Sequence, residues 1–407
     1  MKNVFLKGRS EGGIPHSLYR GLLRFPPDGY SVFTRNTKNI GKQQTPSLTK
    51  RKQLFYDLNR KLQGTPYDRL WYEARTLFYM GLKKTQRSRL PSGLDIDLVF
   101  SSQQLMFTKI PWVVDFEYAN ALVDYGDIRL CRRFIQKALG SSFCKKIMPW
   151  SEWSKRTLLR SINCGSFKEK IEVVHFGMEP KEFIKKNDDG KVRILFVGST
   201  NQFNYLIFEW KGGFEVVEAF LELNKKYNDL ELVLASWVPP EIRKKCFKNP
   251  NIKISFPLSE QELTSVYAST DICLYPTYMN LSQAILEAMS FELPVVTSNI
   301  YDIPEAIENM KSGVLLDCPN LPLYLWNGTP NHHDENLSQI RRVRPWRVKQ
   351  IVEKLALLIE DNSLRRKIGR TARHLIESGE FSIKNRNEKL KRIFDDATEI
   401  SLQRCSP

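Results

Sequence analysis

The sequence predicts an α/β protein made of two Rossmann-like domains, and three observations carry that prediction. Short apolar runs such as LVFS, WVVD, ILFV and LVLA alternate with amphipathic segments of helical length, the pattern of buried parallel strands and their crossovers. The 407-residue length exceeds one ordinary core. A polar linker with Pro180 and the NDDG of 187–190 separates two such rhythms and puts a domain boundary near 185.

In the first half, Asn3–Leu6 reads as a strand, GRSEGG as a turn, Pro15–Leu23 as a helix and Tyr30–Phe33 as a second strand. Residues 45–90 place Leu54, Phe55, Leu58 and Leu62 on one helical face beside Lys50, Arg51, Lys52 and Lys61. A second run carries Leu70, Trp71, Leu77, Phe78 and Met80, then Lys83, Lys84, Arg87 and Arg89. Such basic amphipathic helices either lie on an anionic membrane or are domain helices with a solvated face. Asp97–Ser101, Pro111–Asp115, Lys146–Trp150 and Ile171–His175 read as further strands.

The second half repeats the rhythm: strand RILFVG, helix GFEVVEAFLELNKKY, strand LELVLAS, the short NIKISF, helix ELTSVYAST, strand DICLYP, helix SQAILEAM and strand PVVTS. Helical connections of this length imply right-handed crossovers and a doubly wound sheet. Residues 318–345, broken by Pro, Asn and Gly, read as an inserted surface loop, and helices finish the chain from about 346 to 397.

Composition narrows the functional classes. With 42% hydrophobic and 11% aromatic residues the chain has the means to bury real cores, which excludes global disorder. Seven scattered cysteines without a CxxC pair point to reduced thiols and a cytoplasmic setting, against a disulfide frame or zinc site. The opening MKNVFLKGRSEGG does not read as a signal peptide, and no apolar run reaches the ~18–20 residues of a membrane span. The expectation is a cytoplasmic protein, at most peripheral on the inner face of a membrane. The net charge of +17 is lopsided: residues 1–180 hold 31 Lys and Arg against 15 Asp and Glu, and the remainder 31 against 30. That asymmetry suggests an anionic partner for the first half, either a phosphate-bearing acceptor or an anionic lipid surface, with plain solubility charge as the alternative. Nucleic acid is disfavoured, since no helix-turn-helix, RNP-type or zinc pattern is present.

Ligands of open α/β sheets bind beyond the carboxyl ends of the strands, against helix N-termini. Three places in the second half meet that description. RILFVG ends at Gly198, where a missing side chain lets a ligand approach the backbone; Lys211–Gly212–Gly213 opens a helix; and Tyr278–Ser282 leads into the helix that carries Glu287. Asn280 or Ser282 could cap that helix. Taken singly each feature is ordinary; together at the strand ends of one sheet they point to a phosphate site.

The order FVG, KGG, LVL, NIKISF, SEQELTSVYASTDICLYPT, ILEAM, LPVV and DIPEAIENMKSGVLLD resembles the nucleotide-sugar-binding domain of the GT-B glycosyltransferases, specifically their large retaining family 4 (glycosyl transferases group 1). The resemblance covers about 192–317 and extends into the helices of 352–394. Weaker echoes in the first half are Gly12–Gly13, DLVFS, PWVVD, SEWSK and KIEVVHFG. It implies two Rossmann-like domains facing across a cleft. Residues 1–185 would bind the acceptor, 186–380 with the inserted loop 318–345 would bind the donor, and a helix in 381–407 would pack back toward the first domain.

The resemblance also implies roles. Lys211 matches the family's diphosphate-binding Lys, while Ser199 stands where its Arg would be. Glu287 matches the ribose-binding Glu, but Met279 replaces the partner acid and Asn280–Leu281–Ser282 replaces Gly-Phe-Gly. Glu292 holds a position usually glycine, and Asp115 and Glu117 occupy the region of a missing His. The implied catalytic set is Lys211, Glu117 and Asp115. Gly198, Ser199, Lys211, Met279, Asn280, Leu281, Ser282, Glu287 and Gly13 would surround a UDP- or GDP-type sugar. Transfer would proceed with retention, without a cofactor or obligatory metal. Asp95-Ile96-Asp97 spells a DxD, yet it only introduces a strand and is not read as a metal site. The alternative is a catalytically weakened GT-B-fold protein that binds a polyanion or membrane surface.

Overall fold

The computed structural model describes residues 1–8, 10–11, 14–15, 17–34, 70, 73–74, 76–77, 90, 93–184, 189–198, 205–318 and 333–402. Gly13, Ser199, most of the basic stretch 45–90, the Asn187–Asp188 half of NDDG and residues 319–332 of the expected inserted loop lie outside them.

The chain forms two compact units: Met1–Gly177 with Tyr324–Asp334 and Ile383–Pro407, and Met178–Leu323 with Glu335–Ser382. The division falls at 177/178, a little before the linker composition suggests, because Met178 already bonds to Phe381 of the second unit.

The first unit's strands are β1 (Lys2–Lys7), a small hairpin of β2 (Ser10–Glu11) and β3 (Ile14–Pro15), β4 (Tyr30–Phe33), β5 (Leu98–Ser102), β6 (Trp112–Phe116) and β7 (Cys144–Pro149). Its main sheet is parallel, in the order β4-β1-β5-β6-β7. Side chains alternate across it as strand geometry requires. Phe5, Val99, Trp112, Val114 and Phe116 enter one core, while Val4, Leu6, Leu98, Phe100 and Val113 enter the other. The Ile383–Leu402 helix supplies Leu390, Ile393, Phe394 and Ala397 to that second core. Asp97, half of the DxD, is spent on the fold: its carboxylate accepts the Asn3 N–H at 2.6 Å. The strand expected at Ile171–His175 does not form. Ile171 makes one isolated bridge to Ile147 at the sheet's β7 edge, and Glu172 and Val174 donate their N–H groups to the Ile147 and Pro149 carbonyls without completing a strand.

The second unit carries β8 (Val192–Val197), β9 (Leu230–Ala235), β10 (Ile252–Ile254), β11 (Ile272–Tyr275), β12 (Val295–Ser298) and β13 (Val314–Leu316). All are parallel, in the order β10-β9-β8-β11-β12-β13. This is the doubly wound arrangement, and the strand order reverses between β8 and β11, where such sheets open a ligand crevice.

The second correction concerns 318–345. From His333 this stretch is helical, in one helix that runs to Glu360 with Pro345 inside it. Proline removes one backbone bond from a helix interior, so the composition reads as a loop. Side-chain pairing holds the helix instead. Arg341, Arg344 and Arg347 recur at helical spacing and all reach into the second unit's core region, as described below.

Glu292 takes the left-handed conformation (φ 60°) that glycine usually supplies after a helix. Its carbonyl meets Gly369 so closely that a Cβ added there would lie 2.0 Å from the Glu292 oxygen.

Candidate active site

The Lys211–Gly213 turn is fixed by packing. Gly212 has φ +78°, and a Cβ there would lie 2.5 Å from the Pro276 carbonyl; one on Gly213 would enter the Phe208 ring. Tyr278 N–H donates to the Trp210 carbonyl at 2.8 Å, stitching the β11 exit loop to the residue before Lys211. The Lys211 ammonium lies 5.6 Å from the centroid of the Tyr275 ring, a cation–π placement. The Tyr275 hydroxyl donates to Ser282 Oγ at 3.2 Å, and Ser282 caps the Gln283–Ser290 helix by accepting the Ala284 N–H. One aromatic side chain thus joins the cation to the helix start.

The loop between them is ordered by its own bonds. Met279 N–H donates to Thr277 Oγ1 and Leu281 N–H to Asp302 Oδ1, leaving Asn280 engaged in neither. Glu287 lies one turn into the helix. It accepts from the Tyr267 hydroxyl at 3.3 Å and from Gln283 Nε2 at 3.1 Å. Burial pushes its carboxyl above the ordinary range, with Tyr267 and Lys181 pulling it back. A carboxylate with one partner per oxygen retains lone pairs for sugar hydroxyls.

Gly198 has a packing reason of its own: a Cβ there would lie 1.8 Å from Ser236 Oγ, so glycine is required where the ends of β8 and β9 meet.

Beneath the Lys211 turn lies a buried ionic cluster. Glu209 has no exposed surface and is gripped by Arg341 through two 2.9 Å bonds and by Arg344 at 2.6 Å. Glu215, equally buried, accepts the Tyr278 hydroxyl at 2.8 Å and faces Arg344 Nε at 3.5 Å. Burial raises the Glu215 pKa against the pull of Arg344. Arg347 donates to the Pro276 and Asp317 carbonyls and to Ser298 Oγ. Five charged side chains therefore hold the exit loops of β11, β12 and β13 and the Lys211 turn in one arrangement.

In the first unit Asp115 is the last residue but one of β6. Its carboxylate accepts Tyr19 Oη at 2.8 Å, Trp150 Nε1 at 2.9 Å and Gln103 N–H at 3.2 Å. Two residues on, Glu117 accepts the Tyr125 hydroxyl, whose oxygen also lies 3.1 Å from Gln103 Oε1. Gln103, Asp124 and Tyr125 all have positive φ, a strain that concentrates at functional edges.

Burial pushes the Asp115 carboxyl from the ordinary aspartate range near 3.8 up to about 7, against the pull of its three donors. A raised folded pKa means that the folded state holds the extra proton between those values. This group's stabilising contribution is therefore complete below about pH 4 and is lost as pH rises through about 7. The displacement is worth on the order of 4 kcal/mol. Urea titrations of wild type and Asp115→Asn at pH 5 and pH 8 should show the wild type relatively more stable, by a few kcal/mol, at pH 5. An identical difference at both pH values would sink this assignment.

The structure brings Lys211, Tyr275 and Ser282 together, with Met279, Asn280, Leu281 and Glu287 on the same loop and helix. Tyr275, Asp302 and the glutamate–arginine cluster were not singled out in the sequence. Only the Tyr in DICLYP, at a strand's carboxyl end, carried a signal.

Two parallel sheets of this topology, each with its own helices, are the arrangement of the GT-B fold of glycosyltransferases. Comparison with known proteins agrees, since residues 168–322 match the family model described as glycosyl transferases group 1. The chain is 23% identical over 279 residues to an uncharacterized glycosyltransferase of Haemophilus influenzae, covering 66% of this chain and 75% of that one. A glycosyltransferase of Rickettsia africae has the same fold (TM-score 0.58, 16% identity, 97% of this chain and 98% of that one). So does HepE of Anabaena, crystallised with UDP and glucose (TM-score 0.53, 14% identity, 96% and 98% covered). The match to the glycosyl transferases group 1 model is confined to the 168–322 segment, which carries Lys211, Tyr275 and Glu287.

Proposed function

We propose that the protein transfers a sugar from a nucleoside-diphosphate sugar to a phosphate-bearing or lipid-linked acceptor, with retention at the anomeric carbon. The observation that carries this reading is the Lys211–Tyr275–Ser282 chain, which sets a cation beside a capped helix start. A diphosphate there would meet the Lys211 ammonium and helix N–H groups, the charge complement of a departing nucleoside diphosphate. Glu287, a turn further on, would take the ribose hydroxyls. Asn280 would read a sugar hydroxyl in place of the acid missing at Met279. Glu117, held by Tyr125, is the first-unit group we assign to the reacting sugars, and Asp115 the one that positions Tyr19 and Trp150. No metal is needed for these roles. The UDP bound to HepE makes UDP-sugars the first donors to try. The basic first half supports an anionic acceptor or docking on the inner membrane face. Among the described residues no helix is long and apolar enough to cross a membrane.

A thermal-shift panel of UDP-, GDP- and ADP-sugars is the direct test. One nucleotide class should raise the melting temperature by several degrees at saturating concentration. No shift with any of them would leave a polyanion-binding protein of the same fold as the better reading.

A further inference from the structure

The second unit has a pocket at the amino ends of its strands, the end away from Lys211. Asp271 and Pro294, which precede β11 and β12, line it together with Arg365, Arg366 and Arg370 of the Asn362–Glu377 helix. Arg365 is anchored: its guanidinium donates to the Leu358 carbonyl and to that of Ile359 at 2.9 Å. Arg366 and Arg370 are exposed, one helical turn apart, and among the described residues neither has a hydrogen bond or ion pair. Like charges at this spacing repel by ~0.2–0.5 kcal/mol, a cost that an anion between them would reverse. Two carboxylates also face the pocket. Asp271 accepts the Arg193 N–H at 2.9 Å, and Glu292 sits in the strained turn, so three guanidiniums exceed two acids. The helix start behind Asp361, which caps Leu364 N–H at 2.9 Å, adds its own positive end. Opposite the arginines, Phe183 and Phe291 pack at 5.3 Å and offer an apolar wall.

We propose that this pocket binds a phosphate monoester through Arg366 and Arg370, independently of the Lys211 site. Guanidinium forks match phosphate oxygens in pairs, and the aromatic wall accepts the ester's carbon skeleton. The phosphate would belong to a soluble metabolite or to a lipid headgroup.

The test is calorimetric titration with glycerol 3-phosphate at constant ionic strength, on wild type, Lys211→Ala and the double variant Arg366→Ala/Arg370→Ala. Binding is expected in wild type and Lys211→Ala, and at least tenfold weaker in the double variant. Both arginines are exposed, so the double variant should keep the wild-type melting temperature. Co-sedimentation with phosphatidic acid vesicles, against phosphatidylcholine vesicles, separates the two sources. Loss of vesicle binding in the double variant identifies the headgroup; loss of glycerol 3-phosphate binding alone identifies the metabolite. No binding of either probe by wild type, or binding undiminished in the double variant, overturns the proposal. Loss of binding in Lys211→Ala with retention in the double variant would assign the phosphate to the donor crevice instead.

Discussion

Lys211→Ala is expected to lower turnover by about 10²–10³-fold while leaving the melting temperature nearly unchanged. The magnitude is that of removing one preorganised donor aimed at developing negative charge. The preserved fold follows from the geometry. The turn is held by Gly212 against Pro276, Gly213 against Phe208 and the Tyr278–Trp210 backbone bond, none of which uses the lysine side chain. What the variant loses in the folded protein is a cation–π contact to Tyr275, worth roughly 0.5–2 kcal/mol. Initial rates with whichever donor the nucleotide panel identifies, beside calorimetric titration of the matching nucleoside diphosphate, would check this. Both kcat and affinity for the diphosphate should fall. Full activity in the variant would mean that the diphosphate lies elsewhere.

Arg344→Ala should instead damage the fold, costing about 3–5 kcal/mol of unfolding free energy. Arg344 pairs with Glu209 at 2.6 Å and faces Glu215 at 3.5 Å, and both carboxylates have no exposed side-chain surface. Removing it leaves Glu215 without its nearest cation and Glu209 with Arg341 alone, whose side chain is 50% exposed. The methylene stem and the stacking of the guanidinium over Phe214, at 4.5 Å, go with it. Arg344→Lys should recover only part of the loss, because a single ammonium cannot reach both acids as a fork does. Urea midpoints for the three proteins provide the comparison. A cost below about 1 kcal/mol for the alanine variant would show the cluster to be dispensable.

The sheets were legible because both-faces-buried strands announce themselves as unbroken apolar runs. Tyr30–Phe33 matches to the residue, and most other strands lie within a residue or two. The parts that misled are those where tertiary contacts override local signals. Pro345 and the polar residues around it suggest a loop, yet Arg341 and Arg344 hold a helix against buried acids some 130 residues earlier in the chain, and Arg347 against the β11 and β13 exit carbonyls. Ile171–His175 has strand composition and bonds to β7 through Glu172 and Val174, but forms a single bridge instead of a sixth strand. At the site, Lys211 and Ser282 could be named from strand ends and helix starts. Their connection through Tyr275 could not, since nothing in sequence spacing tells which ring a lysine will cover. Gly198 adds a role that spacing does not reveal: its missing side chain makes room for Ser236.

The first unit is assembled from both ends of the chain. Its second core closes only when Leu390, Ile393 and Phe394 cover Val4, Leu6 and Phe100. During synthesis the ribosome therefore delivers every residue of the second unit before the helix that completes the first. For the whole of that interval the amino-terminal sheet carries an open apolar face. The same order makes the Ile383–Leu402 helix a lever on the first unit's strands. A frameshift or stop codon near 383 spares every residue of the second unit yet denies the earliest-made strands their cover.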